Sequence, residues 1–498
     1  MDGGPARASA ARHNAALMHL TVIIRTLGVL FLLFSTTLLP PLAISLAYAD
    51  GEVAHFSVTL AIALAIGLAL WLPFRRDSHT IRSRDGFLIV ALMWSAMSLL
   101  GTVPFILALD LSFPDAFFES VSGYTTTGAT VLEGLDSMSP SILFYRQEIQ
   151  WLGGIGVIVL AVALLPMLGI GGMQLYKAET AGPLKDERFT PRLARTARGL
   201  VVVYLVLTTV CAGSYWLAGM GLFDAVAHSL STVATAGYST HDASLAFFDS
   251  VPIELVATIF MLIGGISFNE HFIAWRTLQL QRYGRDTQTR GFLLLVGIAI
   301  VVVLLVLLVT RTYESLAEGL RYAVFEVVSV FTTTGYGIAD FSQWPLALPV
   351  VLIFTGLIGG CAGSSAGGIK VIRIVVLFKQ VGIHIHRLIH PQAIRRLRVD
   401  GQPLPDAVVE AVGGFFAVYI VMFFIFMALA MMDGMDQVTA FGAVAATISN
   451  LGPGLGDVAI TFADVSPHGK IMFAIAMLFG RLEIYTFLVL LAPAFWRR

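Results

Sequence analysis

The chain has 498 residues, 57% of them hydrophobic and only 13% charged, with a mean hydropathy of +0.82 and a formal net charge of −1. A soluble domain is about 25% charged, so this composition excludes a large soluble enzyme, which would lack the polar side chains to cover its surface. The two cysteines, Cys211 and Cys361, lie far apart in apolar or Gly-rich surroundings, which excludes a disulfide framework and a CxxC metal site.

Residues 1–16 are polar and Ala-rich, with Arg7 and Arg12. The apolar run that follows reaches about residue 49, too long for a signal-peptide core, and reads as a retained membrane helix. A spanning helix needs roughly 20 mostly apolar residues. Ten segments qualify: 17–48, 55–74, 86–109, 141–172, 199–219, 252–278, 291–312, 346–380, 407–432 and 468–495. Four shorter apolar stretches lie near 115–128, 224–237, 322–335 and 439–452. Their length suits re-entrant segments rather than spans.

Lys and Arg set the orientation. Arg75, Arg76, Arg82 and Arg84 follow the second span; Lys177, Lys185, Arg188, Arg192, Arg195 and Arg198 the fourth; Arg276, Arg282, Arg285 and Arg290 the sixth. Lys370, Arg373, Lys379, Arg387, Arg395, Arg396 and Arg398 come late in or after the eighth. The other side is rich in acids, among them Asp50, Glu52, Asp110, Asp115, Asp136, Asp242, Asp340 and Asp433, with few cations such as Arg146, Arg321 and Lys470. Both termini are therefore expected in the cytoplasm, and the four short stretches enter from outside.

Internal repetition fixes the architecture. Gly128, Gly237, Gly335 and Gly452 recur at intervals of 109, 98 and 117 residues, within SVSGYTTTGAT (120–130), SLSTVATAGYST (229–240), SVFTTTGYG (329–337) and TISNLGPGLG (447–456). Six positions before each glycine stand Ser122, Ser231, Ser329 and the deviating Ala446; nine before stand Glu119, His228, Glu326 and Ala443. A second echo lies in the following span: Gly153-Gly154, Gly264-Gly265, Gly359-Gly360 and Gly480-Arg481. The fold class expected is an all-α polytopic membrane protein with four pseudo-fourfold repeats of span, pore helix, filter loop and span around a central pore, preceded by two extra helices. The predicted divisions are 1–84, 85–190, 191–285, 286–400 and 401–498. Glycines that only let helices pack closely are the simpler reading, but they leave the Thr-rich or Ser-rich stretch before each one unexplained.

Non-helical backbone inside a membrane is tolerated only where protein buries it or water lines it. Four loops converging on one axis meet that condition. Glycine takes the positive φ angles other residues avoid, so the preceding carbonyls can turn toward the axis and replace the hydration shell of K⁺. The candidate ligands are the carbonyls of Thr126, Thr127, Thr235, Ala236, Thr333, Thr334, Asn450 and Leu451, with the glycines Gly128, Gly237, Gly335 and Gly452. The short helices point their partly negative C-termini at this site. The Thr hydroxyls fit two roles, ligand or loop-former; Glu119 and Glu326 fit two places, behind the filter or facing the outer vestibule. K⁺ is the expected cargo, and no cofactor, nucleic-acid partner or enzymatic activity is expected: the spans carry no nucleophile–base set and no metal-ligand cluster.

These loops, the run QWLGGIGVIVLAVALLPMLGIGGMQLY (150–176), AETAGPLKD (178–186) and GGCAGSSAGGIKVIRI (359–374) closely resemble the Trk/Ktr/HKT superfamily, the TrkH-type potassium uptake subunits in particular, from about residue 20 to the C-terminus. The resemblance implies a homodimer with one pore per subunit, in the bacterial inner membrane, bound to a cytoplasmic TrkA-like nucleotide-binding regulatory subunit. It implies a gating loop in the third repeat, here Gly359, Gly360, Cys361, Ala362, Gly363, Ser364, Ser365, Ala366, Gly367 and Gly368. A Gly/Ser run inside a 35-residue apolar segment reads independently as a break. It also implies an arginine below the filter, matching Arg481. A membrane-centre charge costs roughly 2.5–3.5 kcal/mol on insertion scales, and an electrostatic barrier explains it; a salt bridge to Glu483 or Glu148 is the plainer reading. The functional alternative to a gated K⁺ pathway is K⁺/H⁺ or K⁺/Na⁺ symport. GSSAGGIK (363–370) lacks the Gly-Lys-Ser/Thr of a phosphate loop. His384, His386 and His390 suit either a metal or, better, a basic juxtamembrane segment.

Overall fold

The computed structural model describes residues 20–76, 83–163, 191–393 and 395–496. Arg7, Arg12, Arg82, Lys177, Lys185, Arg188, the 178–186 motif and the second half of the 150–176 run lie outside the described residues. What is described is almost entirely helical, with one short antiparallel hairpin, Arg398–Val399 against Gln402–Pro403.

Two spans come first. α1 (Leu20–Thr37) continues through Pro40 and Pro41 into α2 (Leu39–Tyr48), and α3 (Val53–Trp71) returns beside α1. Their connecting turn is tied to the first repeat: Asp50 accepts from the Ser141 amide at 3.0 Å and Glu52 from the Ser139 hydroxyl at 3.1 Å.

Four similar units follow. The first comprises α4 (Ser83–Leu100) with its continuation α5 (Thr102–Leu109), the short α6 (Phe113–Tyr124) and α7 (Pro140–Ala163). The second comprises α8 (Pro191–Leu217), α9 (Leu222–Val233), α10 (Val251–Gly265) and α11 (Phe268–Thr277). The third comprises α12 (Thr287–Val309), α13 (Leu316–Phe331), α14 (Leu348–Ile358) and α15 (Val371–Ile389). The fourth comprises α16 (Asp406–Met432), α17 (Gln437–Ile448), α18 (Pro467–Arg481) and α19 (Ile484–Leu491). The short helices have 12, 12, 16 and 12 residues. At ~1.5 Å per residue they cannot cross a hydrocarbon core of about 30 Å, and each ends four residues before its glycine. Ser112, Ser315 and Asp436 cap three of them at the N-terminus, accepting from backbone amides of the first turn.

Among the described residues six helical segments are long and apolar enough to span: the two N-terminal ones and the first span of every unit. Two of the second spans correct the expectation of continuous helices, and a third breaks where the Gly/Ser run predicts. Segment 252–278 bends by 96° between α10 and α11, and 468–495 bends by 107° between α18 and α19. Segment 346–380 stops at Ile358 and resumes at Val371. The breaks satisfy one another, as backbone inside a membrane must. The Phe268 amide opening α11 donates to the Gly363 carbonyl at 3.0 Å, and the Cys361 amide donates to the Gly265 carbonyl at 2.9 Å.

Candidate functional site

All four short helices end in the same way. The residue two before the glycine lies in the left-handed region: Thr126 (φ 52°), Thr235 (49°), Thr333 (54°) and Asn450 (54°). The next amide reaches back to the helix: Thr127 to Ser122 O at 2.9 Å, Ala236 to Ser231 O at 3.1 Å, Thr334 to Ser329 O at 2.8 Å, Leu451 to Ala446 O at 2.8 Å. This is a Schellman closure with Thr or Asn where glycine is usual. Gly128, Gly237, Gly335 and Gly452 follow at φ 82°, 84°, 82° and 102°, with an ordinary negative φ between.

The turns meet in a closed ring. A Cβ on Gly128 would strike the Ala236 carbonyl oxygen; on Gly237, that of Thr334; on Gly335, that of Leu451; on Gly452, that of Thr127. Each glycine thus abuts the residue before the glycine of the next unit, in the order first, second, third, fourth and back to first. The eight residues with candidate carbonyls are all buried, none more than 1% exposed. Seven of these carbonyls accept no hydrogen bond among the described residues; that of Ala236 accepts from Gln150 Nε2 at 2.8 Å. Buried carbonyls are normally paired, so seven without a hydrogen bond on one ring of turns are a departure from the usual pattern.

The second glycine echo has a packing role. A Cβ on Gly153 would strike Tyr124 O and one on Gly480 would strike Ile448 O; one on Gly264 would press on Val233 O at 3.3 Å. These are the last residues of α6, α17 and α9, so the glycines let a second span pass directly beneath its own short helix.

Side chains behind the ring resolve the open placements. Glu119 is fully buried and accepts from Arg146 Nε at 2.9 Å, Thr130 Oγ1 and the Val131 amide. Arg146 also donates to Ser239 O at 3.1 Å and lies 4.2 Å from the centre of the Tyr238 ring. Glu326 accepts from the Ile338 and Ala339 amides at 2.8 and 3.0 Å. Both carboxylates brace the backbone leaving the turn, and Glu326 also borders a cavity of about 370 Å³ above the ring, lined by Gly128, Gly237, Gly335, Gly452, Arg146 and His241 among others. The hydroxyls knit the turns: Thr125 with Thr127 and Thr332 with Thr334, both at 2.7 Å. Gln150, unmarked by any repeat, holds the second turn through Ser231 Oγ at 2.7 Å and the Tyr238 amide at 3.1 Å.

Gly359 to Gly368 run directly beneath the ring. The Gly367 amide donates to Thr333 Oγ1 at 2.6 Å and the Gly368 amide to Ser449 O at 2.9 Å; Ser365 Oγ meets Thr235 Oγ1 at 3.0 Å. Two cations seize consecutive carbonyls of this segment. Arg481 Nη1 donates to Ser365 O at 2.8 Å, and Lys370 Nζ donates to Ala366 O. Lys370 sits at φ 83° and belongs to the site, where sequence reasoning counted it only as a cytoplasmic charge. Arg481 has no ion pair with Glu148 or Glu483; Glu483 pairs with Arg373 at 2.7 Å, whose guanidinium lies 4.0 Å from the centre of the Phe415 ring. Among the described residues no group of three His, Cys, Asp or Glu side chains is placed to hold a metal.

Fold and site together define a polytopic helical membrane protein built as four similar units whose glycine turns meet in one closed ring. Residues 53–498 match the family described as "TrkH: Cation transport protein", and the chain belongs to that family. It is 49% identical over 483 residues to the Trk system potassium uptake protein TrkH of Halomonas elongata, covering 97% of this chain and all of that protein. It is 47% identical over 482 residues to the protein of the same name in Escherichia coli strain K12, covering 96% of this chain and all of that one. The crystal structure of the potassium transporter TrkH from Vibrio parahaemolyticus superimposes with a TM-score of 0.90 at 47% identity, over 96% of this chain and 100% of that one.

Proposed function

We propose that this chain is the ion-conducting subunit of a potassium uptake system, passing K⁺ through the carbonyl ring down the membrane potential. The observation that carries the reading is the set of seven buried, unpaired carbonyls on four turns that close a ring. Oxygens so held can replace the hydration shell of K⁺, and four helix C-termini add partial negative charge. The names of the relatives support K⁺ as the cargo.

On this reading the ligands are the carbonyls of Thr126, Thr127, Thr235, Ala236, Thr333, Thr334, Asn450 and Leu451, and the units divide at 1–84, 85–190, 191–285, 286–400 and 401–498. Gly359 to Gly368, held by Arg481 and Lys370, form the gate: two cations and a loop block the exit of a cation path. The Arg373–Glu483 pair couples α15 to the bend below Arg481, so a cytoplasmic nucleotide-binding partner pulling on α15 would open the loop. The basic face carrying Arg75, Arg76, Arg276, Arg282, Arg285 and Arg290 is cytoplasmic, both termini lie there, and the chain works as a homodimer in a bacterial inner membrane.

Symport is the second reading. Glu148 favours it: the side chain is buried in α7, and its Oε2 has no partner among the described residues. Intramembrane acids mark ion and proton routes. The test is ⁸⁶Rb⁺ or K⁺ uptake into proteoliposomes under an imposed potential, with no gradient of H⁺ or Na⁺. Potential-driven uptake that Gly335→Asp abolishes supports the channel-like path. Uptake that waits for an H⁺ or Na⁺ gradient supports symport, and uptake that waits for the cytoplasmic partner makes that partner obligatory.

A further inference from the structure

His241 follows the second glycine turn and lines the cavity above the ring. Its Nδ1 is 2.5 Å from Asp136 Oδ1, on the outer loop of the first unit. Its Nε2 faces Asp224 Oδ2, on the first turn of α9, across 3.6 Å and has no hydrogen-bond partner among the described residues. The ring is fixed in place: Phe247 stacks on it at 3.5 Å and 6°, Phe248 packs edge-on at 5.4 Å, and its backbone amide donates to Ser239 Oγ at 3.1 Å. Asp224 is held from the other side by Thr240 Oγ1 at 2.7 Å.

This geometry has a protonation preference. A neutral imidazole carries one N–H and can donate to only one of two carboxylates. The imidazolium donates to both. One proton added at Nε2 therefore completes a bridge from the first unit's loop to the second unit's re-entrant helix and cancels one negative charge beside the vestibule. The other titratable or charged groups facing it are His228, ring centre 6.5 Å away on α9, and the adjacent Asp242, whose Oδ1 accepts from the Leu135 amide at 3.1 Å. Arg146, Glu326 and Asp340 line the same cavity. The hydrogen bond from His241, outweighing the opposing effect of burial, holds the exposed Asp136 carboxyl below its usual range.

We propose that His241 is an external proton site that sets the apparent affinity of the entrance for its cation: protonated, it weakens K⁺ capture; neutral, it leaves the negative charge of Asp136 and Asp224 uncancelled to attract K⁺. The inference rests on the K⁺-uptake reading and deepens it by adding a residue that tunes capture rather than passage. One charge acting across a partly hydrated vestibule changes local cation occupancy by roughly three- to tenfold.

The experiment measures ⁸⁶Rb⁺ uptake by the full chain in proteoliposomes at fixed imposed potential and fixed internal pH, with external pH varied from about 5 to 8. The wild type is expected to show an apparent KM that rises roughly three- to tenfold on acidification, with the maximal rate unchanged. His241→Gln should hold the low, alkaline KM at every pH, and His241→Arg the high, acidic one. Asp136→Asn, which removes the closer carboxylate, should move the wild-type midpoint to lower pH. A flat wild-type KM, or a His241→Gln profile that still follows the wild type, overturns the inference while leaving the uptake reading intact. Absence of uptake by the wild type under every gradient, with or without its partner, overturns both.

Discussion

Asn450 in the fourth turn donates from Nδ2 to the Thr127 hydroxyl of the first turn at 3.0 Å and to Met477 O at 2.9 Å. The first and fourth turns lie more than 300 residues apart in the chain, so this bond and the contact of Gly452 with Thr127 O close the ring. Asn450→Gly keeps the left-handed backbone accessible and deletes the bridge to Thr127 together with the bond to Met477 O. The expected outcome is a loss of about 1–3 kcal/mol, read as a lower thermal midpoint in detergent, with reduced K⁺-over-Na⁺ discrimination in competition uptake.

Gly237 tests the ring from the other side. Its Cα faces the Thr334 carbonyl with no room for a methyl group, and its φ of 84° costs an L-residue roughly 1–2 kcal/mol. Gly237→Ala should fold and reach the membrane but lower K⁺ uptake by about tenfold or more, because the neighbouring carbonyl must leave the ring. Uptake within a factor of two of wild type would sink the ring geometry as the conducting element.

Arg481 and Glu483 separate barrier from scaffold. Arg481→Gln removes a charge beneath the ring and weakens the hold on Ser365 O; basal uptake without any partner should rise on the order of tenfold. Glu483→Gln leaves that contact alone and breaks the pair with Arg373. It should raise basal uptake less while loosening the response to the cytoplasmic partner. Equal basal uptake in wild type and Arg481→Gln would count against a barrier.

The seam between the first and fourth units is pH-sensitive at its outer rim. Lys470 Nζ donates to Asp115 Oδ1 at 2.6 Å, and Ser112 Oγ donates to Oδ2 at 2.5 Å. Burial acts upward on the Asp115 carboxyl, but these hydrogen bonds and the ammonium charge outweigh it and hold its pKa below the usual value. The contribution is therefore full above the unfolded value of about 4 and is lost as pH falls through the lower folded value. Asp115→Asn should remove it at neutral pH, about 0.5–1 kcal/mol given the solvent on one side, and should flatten the acid limb of thermal stability against pH.

The four turns were legible because each repeats a glycine, a Ser/Thr stretch and a following span at nearly constant spacing. The second glycine echo was equally legible, though not its purpose, since closeness to Tyr124 O or Ile448 O depends on helix crossing rather than on sequence. The positive φ of Thr126, Thr235, Thr333 and Asn450 carried no signal, because three of them are residues that rarely adopt it. Glu483 looked like the partner of Arg481 from proximity alone, but residues two apart do not face each other on a helix, and Glu483 lies past the helix end at φ 58°. The bends after Gly265 and Arg481 were hidden because the mean hydropathy across each pair of helices still passes for a single span. Lys370 looked like any membrane-flanking cation, since nothing in its neighbours betrays that the chain doubles back over Ala366.

Each ring glycine is fenced by the main chain of the neighbouring unit, not by a side chain. That has a genetic consequence. When a side chain crowds a glycine, a second-site change that trims the side chain can restore the fit. Here no trimming is available, because every residue type carries the same carbonyl. Suppressor screens against a ring-glycine mutation should return true revertants at that codon, or changes in the gate that raise a residual flux, and should not return compensating substitutions at Ala236, Thr334, Leu451 or Thr127.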